Sequence, residues 1–285
     1  MSRIDIDYLK GWEGKTQQAF DDMSPFKARA LAAALNHEHL PEAGSELPNG
    51  WQWLYFLDTP SSVGTGVDGH PATGGFLPPS PLPRRMWGAG RVHHQRPVIL
   101  GEPAEKTSRV ELVDLKDGKS GTLLFVKVRH DINQGGQFCI KEEQNIIYRD
   151  MPTALARLPV GKAAPTDAEW SETLQPDPVL LFRFSALTYN AHRIHYDRDY
   201  AMHSEFYPGL VVHGPLLATL LSETLVRQFP GEWIRDFVFR AERPTFDGHP
   251  VQLCGKREGG TVSLWSVDHE GFIGMHATAV MGAQQ

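Results

Sequence analysis

The alternation of apolar and polar side chains along the second half of the chain predicts antiparallel strands. Four segments carry this pattern: DFVFRAERPTFD, VQLCGKRE, TVSLWSVDHEG and FIGMHATAVMG. Before them, GLVVHGPLLATLLSETLVRQF is apolar over a length that suits one buried helix, and its His-Gly-Pro start is typical of a helix entry. We interpret the apolar run VLLFRFSALT, at 179–188, as one more strand that opens this half.

The first half of the chain combines a helical start, a long loop and another block of strands. Residues 3–40 predict helices, with Ser24 as an N-cap and Pro25 at a first helical position. Residues 59–90 are rich in Gly, Pro and Ser, and a loop of this length inside a compact domain is usually functional or disordered. The strand pattern then appears in GRVHHQRPVIL, TSRVELVDLK, TLLFVKVRHDI and QNIIYRD, with turn signals between the segments.

The two strand blocks resemble each other. When they are aligned, the pairs Arg96-Pro97 and Arg243-Pro244 fall in register, and an apolar segment precedes each block, at 51–57 and at 210–226. We infer two copies of one unit, in which antiparallel strands wrap a central apolar helix. Two unrelated α+β halves are the alternative.

This repeat predicts the division of the chain. Residues 1–149 form a first half with a helical leader and the long Gly/Pro loop, and residues 179–285 form a second half. Residues 150–178 are rich in Pro and Ala and lack a pattern, so we interpret them as the linker.

Composition narrows the class of protein. The chain has 285 residues, is 41% apolar and carries a formal net charge of −6, and it has no block of Lys and Arg, so we expect no nucleic-acid partner. Cys139 and Cys254 lie in no CxxC spacing and predict buried free thiols rather than a zinc site. The N-terminus has no signal-peptide pattern and no apolar run is long enough for a membrane span, so we expect a soluble cytoplasmic protein without a membrane partner.

Titratable side chains concentrate in LTYNAHRIHYDRDYA, between two apolar segments of the second half. His195 titrates near neutrality and can take a proton from water, and Asn190, five residues earlier, can hold a water against it. At the predicted helix start, Gly214 offers an unpaired backbone N–H that would polarise a carbonyl oxygen. A structural loop histidine and a plain helix start are the alternatives. His70, His93 and His94 lack partners at ligand spacing, and we expect them in loops or at the surface.

These residues resemble a known family. FSALTYNAHRIHYDRDYA and YPGLVVHGPLLATLL are similar to the MaoC-like, or hydratase-2, hot-dog proteins, whose motif is Asp-x-Asn-Pro-x-His followed by a Gly-bearing helix start. Together with GGFLPPSPLPRRMWGAGR, they resemble the subgroup of hydroxyacyl-thioester dehydratase type 2 and of mesaconyl-C4-CoA (3-methylfumaryl-CoA) or itaconyl-CoA hydratases. The resemblance covers residues 5–282 and implies an α+β double hot-dog fold, with two antiparallel sheets that each wrap a central helix.

Each position of the family motif can be matched to one residue of this chain. His195 falls on the family's catalytic histidine, and Asn190 falls where the wider family has its catalytic aspartate. His192 falls on the asparagine of the motif, and Arg193 replaces the proline. The missing carboxylate puts the usual division between Asp and His in doubt, although the subgroup also tends to carry Asn at this position.

The resemblance implies reversible addition of water to a short unsaturated dicarboxylic acyl-CoA, such as itaconyl-CoA or mesaconyl-C4-CoA. His195 would deprotonate the water, the Gly214 N–H would stabilise the enolate oxygen, and Asn190 would orient the water. For the proton that goes to Cα, the sequence leaves Asn190, Asp197, His192 and Tyr189 open. The CoA thioester is the substrate, and we expect neither a metal nor a redox cofactor.

Binding residues are assigned with alternatives. Arg84 and Arg85 would hold the CoA phosphates, with Trp87 stacked on adenine, unless this stretch is a solvated turn with a buried Trp. Arg193 would pair with the substrate's free carboxylate or, equally, bond the carbonyls of its own turn. His192 and Tyr189 complete the substrate-binding set.

Three other functions stay open at the level of sequence. An (R)-3-hydroxyacyl-thioester dehydratase of fatty acid synthesis would need a long acyl tunnel, and a thioesterase would usually need a carboxylate base. A non-catalytic acyl-CoA-binding module is the third. The first half shows no counterpart to Asn190 and His195, so we expect one active site, and we prefer a homodimer although a double hot dog can be a monomer.

Overall fold

The computed structural model describes residues 4–118, 121–152, 158 and 160–282. In this part of the chain the α-helices are Ile6–Lys10 (α1), Pro25–Ala34 (α2), Pro178–Leu187 (α3), Arg198–His203 (α4) and Gly214–Gln228 (α5). The strands of the first half are Thr16–Asp21 (β1), Arg84–His94 (β2), Ala104–Gly118 (β3), Gly121–Gln134 (β4) and Gln137–Arg149 (β5). Those of the second half are Trp170–Leu174 (β6), Trp233–Ala241 (β7), Val251–Glu258 (β8), Thr261–Val267 (β9) and Ile273–Gly282 (β10).

The strands form one 10-stranded sheet in the order β1-β3-β4-β5-β2-β7-β10-β9-β8-β6. Each half has the same order, read outward from the centre, and the halves meet where β2 pairs antiparallel with β7 from Ala89↔Arg240 to His93↔Asp236. The predicted repeat is therefore confirmed, and the two sheets of the double hot dog are joined edge to edge. Arg96-Pro97 and Arg243-Pro244 occupy matching places, directly after β2 and β7.

Helix α5 is the central helix of the second half, as predicted. It packs against β7, β8, β9 and β10, and its leucines at 216, 217, 220, 221 and 225 are buried. Pro215 fits the first turn because that turn's N–H groups have no partner within the helix. Burial of a leucine stabilises the fold by about 1.5–3 kcal/mol. This apolar surface fixes α5, and with it the position of Gly214, against the concave face of the sheet.

The first half departs from the prediction because no long helix fills its sheet among the described residues. The apolar segment 51–57 contains only a 3-10 helix at Trp51–Leu54, whose buried Trp51, Leu54 and neighbouring Tyr55 belong to the main core. Helix α2 packs against α3 instead. The concave face of the first half is therefore not occupied by a helix equivalent to α5.

Three element predictions are wrong. VLLFRFSALT forms α3 rather than a strand, because Asp177 caps it through a 2.7 Å bond from the Leu180 N–H and Pro178 sits in its first turn. Short apolar runs do not distinguish strand from helix by periodicity alone. The start of the chain is not wholly helical, since β1 pairs with β3, and the linker 150–178 contains β6, which pairs with β8.

Both cysteines are buried free thiols, in agreement with the prediction. Among the described residues, no helix combines the length and the apolar character that crossing a membrane requires.

Candidate active site

A cavity of about 1080 Å³ lies between the two halves. Its second-half wall comes from the turn after α3, the 3-10 helix Arg193–His195 and the start of α5. Its first-half wall comes from the long loop and the concave faces of β2, β3, β4 and β5, where no central helix is present. The absent helix thus leaves room for a large ligand, and both halves contribute to one site, as predicted.

His195 is buried and lines this cavity. Its Nδ1 lies 2.7 Å from the carbonyl oxygen of Val211, so Nδ1 donates a proton to that oxygen and the lone pair is on Nε2. Nε2 has no hydrogen-bond partner among the described residues. Burial, and then the neighbouring imidazoles of His213 and His192, hold the pKa of His195 well below its usual value. The ring is therefore neutral at pH 7 and can accept a proton.

His213 packs against the His195 ring, a contact that the sequence did not suggest. The two imidazoles are stacked, with 3.7 Å between ring centroids and 18° between planes. His213 Nε2 and Ser185 Oγ lie 2.8 Å apart, which ties the end of α3 to the start of α5. Burial lowers the pKa of His213 to about 3, so it too is neutral. It fixes the orientation of His195 without adding charge.

Gly214 is the first residue of α5, directly after His213, and it lines the cavity. Its backbone N–H is one of the donors that a helix leaves unpaired at its start. A Cβ at this position would lie 2.9 Å from Cε3 of Trp87, so only glycine fits against that ring. The Trp87 ring also contacts Phe239 at 4.6 Å and Trp53 at 5.3 Å between centroids. Trp87 therefore forms part of the cavity wall, whereas the predicted stack on adenine would need an open ring face.

Asn190 lines the cavity close to His195 in the chain. Its Oδ1 accepts a 3.0 Å hydrogen bond from the backbone N–H of His192 and so shapes the turn. The Asn190 amide NH₂ remains as a donor. Tyr189 has a positive φ of 50° and a side chain that is 57% exposed, and it is not among the residues that line the cavity.

Arg193 is bonded within the protein and is not among the residues that line the cavity, which opposes the predicted pairing with a free carboxylate. Its guanidinium bonds Asp197 Oδ2 twice, at 3.0 and 2.7 Å, and donates to the Val67 carbonyl at 3.2 Å. It also stacks over the Tyr200 ring. The i,i+4 spacing on one turn lets Asp197 capture Arg193, so this pair anchors the long loop rather than the ligand.

A chain of hydrogen bonds crosses the cavity wall next to His195. Arg84 Nε donates to Glu205 Oε2 at 2.8 Å, and Glu205 Oε1 lies 3.3 Å from His192 Nε2. On the loop side, His70 Nδ1 lies 2.8 Å from Asp68 Oδ2, and the His70 and His192 rings are 4.1 Å apart. The side chains of Arg84 and Glu205 are only 10% and 1% exposed, so Arg84 is committed to this ion pair.

This arrangement corrects the prediction for His70, which is not an isolated loop histidine. It lines the cavity, and burial lowers its pKa to about 4 despite the Asp68 partner. Asp68, His70 and His192 bring their ligand-type atoms within 4.8 Å of one another, through the Asp68–His70 hydrogen bond and the contact between the His70 and His192 rings. The Asp-x-His spacing was the only sign in the sequence, and the contact with His192 depends on how the loop folds back.

Three cations line the cavity without a carboxylate within ion-pair distance among the described residues. They are Arg85, Lys106 and Arg149. Within the described part of the chain, Lys106 Nζ donates only to the Phe56 carbonyl, at 3.3 Å, and burial lowers the pKa of Lys106. Arg85 lies within electrostatic range of His70. Half-buried cations that lack an ion pair favour an anionic ligand.

Comparison with known proteins identifies relatives of this chain and agrees with its fold. The family model for hydroxyacyl-thioester dehydratase type 2 matches residues 50–247. The chain is 43% identical over 272 residues to a mesaconyl-C(4)-CoA hydratase of Chloroflexus aurantiacus, covering 95% of this chain and 97% of that protein. Both sequence matches include the residues that line the cavity around His195.

Solved structures show the same fold at low identity. A MaoC-like dehydratase superimposes with a TM-score of 0.73 at 13% identity, covering 97% of this chain and all 100% of the other. A Mycobacterium tuberculosis protein described as a double hot dog superimposes with a TM-score of 0.58 at 11% identity, covering 97% and 98% of the two chains. The chain therefore belongs to the hydroxyacyl-thioester dehydratase type 2 family, a family of hydro-lyases with the MaoC-like double hot-dog fold.

Proposed function

We propose that the protein is an acyl-CoA hydratase that adds water reversibly to a short unsaturated dicarboxylic acyl-CoA. Mesaconyl-C4-CoA is the first candidate substrate, itaconyl-CoA is the second, and both would give a citramalyl-CoA-type product. The observation that carries the proposal is the neutral imidazole of His195, with a free Nε2, in a cavity that also receives the start of helix α5. The mesaconyl-C(4)-CoA hydratase relative supports the choice of substrate.

In this proposal, His195 Nε2 takes a proton from the water as its oxygen bonds Cβ. The thioester oxygen accepts the Gly214 N–H, where the helix dipole stabilises the negative charge that develops on the enolate. The Asn190 NH₂ holds the water in line with His195. The histidine pair of His195 and His213 keeps the base fixed, so little reorganisation accompanies proton transfer.

A dehydratase that acts on long 3-hydroxyacyl thioesters is the second candidate, because the cavity is large and the family model carries that name. The lining of the first-half wall opposes it. Lys106, His130, Glu142 and Gln144 all face the cavity, and Glu142 is 3% exposed. An aliphatic chain placed there would lie against these polar groups and offer them no hydrogen bond.

A panel of enoyl-CoA substrates tests the function. We expect mesaconyl-C4-CoA to be hydrated with a loss of absorbance of the conjugated thioester, and crotonyl-CoA and a long-chain 2-enoyl-CoA to react at least about tenfold less efficiently in kcat/KM. Itaconyl-CoA, whose double bond is not conjugated, is followed by chromatography of the product. Preference for the long-chain substrate would favour the fatty-acid dehydratase instead, and turnover of none of them would leave only a binding protein.

We assign the free carboxylate of the acyl group to Arg85, since Arg193 and Arg84 are held by Asp197 and Glu205. Arg85 precedes Trp87 by two residues on β2, and the Trp87 ring lies against Gly214. Alternate residues of a strand share one face and are about 7 Å apart. Arg85 is therefore at a suitable distance from a thioester bound at Gly214.

Replacing Arg85 with methionine is expected to raise KM for mesaconyl-C4-CoA about tenfold or more while leaving KM for crotonyl-CoA within about twofold. Steady-state kinetics with both substrates measure the difference. Arg235→Met, at an arginine that is 53% exposed and bonded to Asp236, is the matched control. An equal rise for both substrates would place Arg85 at the CoA moiety and not at the acyl carboxylate.

A further inference from the structure

Hydration of a double bond requires two proton transfers, and the site described so far accounts for one of them. Water loses a proton as its oxygen bonds Cβ, and Cα must gain a proton as the enolate collapses. A carboxylic acid is the usual partner for a histidine in such work, but Asn190 carries an amide, which is too weak an acid and too weak a base to take its place at neutral pH. Another group must therefore donate the proton that Cα gains.

The structure removes two of the local alternatives. Asp197 accepts two bonds from Arg193 and caps α4, and it is not among the residues that line the cavity. The Tyr189 side chain is 57% exposed and also lies outside the lining. Of the titratable residues that the sequence placed in this turn, His192 is the one that lines the cavity beside His195.

His192 has the surroundings of a proton-transfer group. It is 4% exposed, and its ring meets that of His195 at 5.4 Å between centroids and at 86°. Its Nε2 donates to Glu205 Oε1, and the other oxygen of Glu205 is held by Arg84. The second nitrogen, Nδ1, has no hydrogen-bond partner among the described residues. A carboxylate on one ring nitrogen and a free second nitrogen are the arrangement that orients an imidazole for acid–base work.

We propose that His192 is the second catalytic acid–base residue and that Glu205 is its positioning residue. This inference rests on the proposed hydratase function. In hydration, His195 Nε2 takes the proton of water, the oxygen bonds Cβ, and the electron pair of the double bond moves into the thioester to form the enolate. The enolate then takes the Nδ1 proton of the His192 imidazolium at Cα. His195 ends protonated and His192 ends neutral. Water in the cavity then carries the proton from His195 back to His192.

The charges around His192 suit this cycle. Glu205 supplies the counter-charge for the imidazolium, and Arg84 balances Glu205 when His192 is neutral. From the loop, His70 faces His192 together with its partner Asp68. On the other side, His195 faces His192, and His213 lies behind His195. Burial lowers the pKa of both residues, so both rings are neutral. Among the neighbouring imidazoles of His70, His192, His195 and His213, His192 is therefore the one bonded to a buried carboxylate of the second-half wall, that of Glu205.

The test separates cleavage of the Cα–H bond from loss of the hydroxyl in the dehydration direction. Citramalyl-CoA carrying either hydrogen or deuterium at Cα is the probe, and kcat/KM is measured for wild type, His192→Gln and His195→Gln. We expect both variants to lose about 100-fold or more in kcat/KM. We expect a larger deuterium isotope effect in His192→Gln than in His195→Gln, because each substitution slows the bond cleavage that its residue assists. His203→Gln, at a histidine whose side chain is 72% exposed, is the matched control and should match wild type.

Three outcomes would overturn the inference. They are turnover of His192→Gln within about threefold of wild type, an isotope effect that is equal in the two variants, and an isotope effect that is larger in His195→Gln. If His192→Gln does not fold, as judged by circular dichroism, Glu205→Gln takes its place, with a loss of about tenfold and the same order of isotope effects expected. If the wild-type protein acts on neither citramalyl-CoA nor mesaconyl-C4-CoA, the proposed function is overturned, and this inference with it. If the wild-type protein is active and the His192→Gln variant is equally active, this inference alone is overturned.

Discussion

Replacing His195 with glutamine is expected to lower kcat for mesaconyl-C4-CoA by two or more orders of magnitude while KM changes only modestly. The imidazole Nδ1 donates to the Val211 carbonyl, which leaves Nε2 as the base, and glutamine has no atom of comparable basicity. A loss in kcat with a steady KM is the signature of a group that acts in the transition state and not in binding. Stopped-flow or steady-state absorbance of the conjugated thioester measures it.

The pH dependence of the wild type checks the same residue independently. Because burial holds the pKa of His195 well below its usual value, the ring stays in its basic form as the pH falls from about 8 to about 6.5. We therefore expect protonation of His195 to cause no decrease in kcat/KM at any pH above about 6.5, the ordinary pKa of histidine. The decrease that protonation of His195 causes should begin only at lower pH. His195→Gln that keeps wild-type turnover would remove His195 from the chemistry.

Acidification from pH 7 to pH 5 is expected to lower the free energy of unfolding by more than half. Burial lowers the pKa of His70 and His94 to about 4 and that of His130 and His213 to about 3. In the unfolded chain these histidines titrate near 6.5. The stability that they contribute is complete above pH 6.5 and decreases as the pH falls, because the unfolded state then binds protons that the folded state excludes.

The size of this effect follows from linkage. At pH 5, each of the four histidines favours the unfolded state by about 2 kcal/mol, or about 8 kcal/mol together, against a total stability of about 5–15 kcal/mol for a folded domain. Urea unfolding followed by circular dichroism at pH 7 and pH 5 measures the change. His94→Phe removes a buried histidine whose two ring nitrogens have no hydrogen-bond partner among the described residues, so the slope of stability against pH should decrease by about one proton. Equal stability at the two pH values would contradict the neutral, buried state of these rings.

Much of the second half could be predicted from the sequence because its patterns are local. The apolar length of α5, its His-Gly-Pro start and the alternation in β7–β10 each depend on residues close in the chain. The internal repeat was visible for the same reason, since the matching Arg-Pro pairs follow equivalent strands. His195 and Gly214 followed from the motif, and the structure brings both to one cavity.

The features that the sequence did not predict depend on contacts between distant segments. The Arg193 guanidinium is bonded to Asp197 and to the Val67 carbonyl, which belongs to a loop more than a hundred residues away. His70 gains its place only because that loop folds onto His192. The run at 179–188 is helical because its cap and its packing on α2 outweigh the β-branched and aromatic character of its side chains.

The most direct test of the account follows the oxygen atom of water. The protein is incubated with mesaconyl-C4-CoA in water enriched in the heavy oxygen isotope, and the CoA esters are separated and weighed by mass spectrometry. The account predicts a hydroxyacyl-CoA that retains its thioester and carries one heavy oxygen, and no such product with His195→Gln on the same time scale. Heavy oxygen found in a released free acid, with the CoA thiol set free, would show thioester hydrolysis and contradict it.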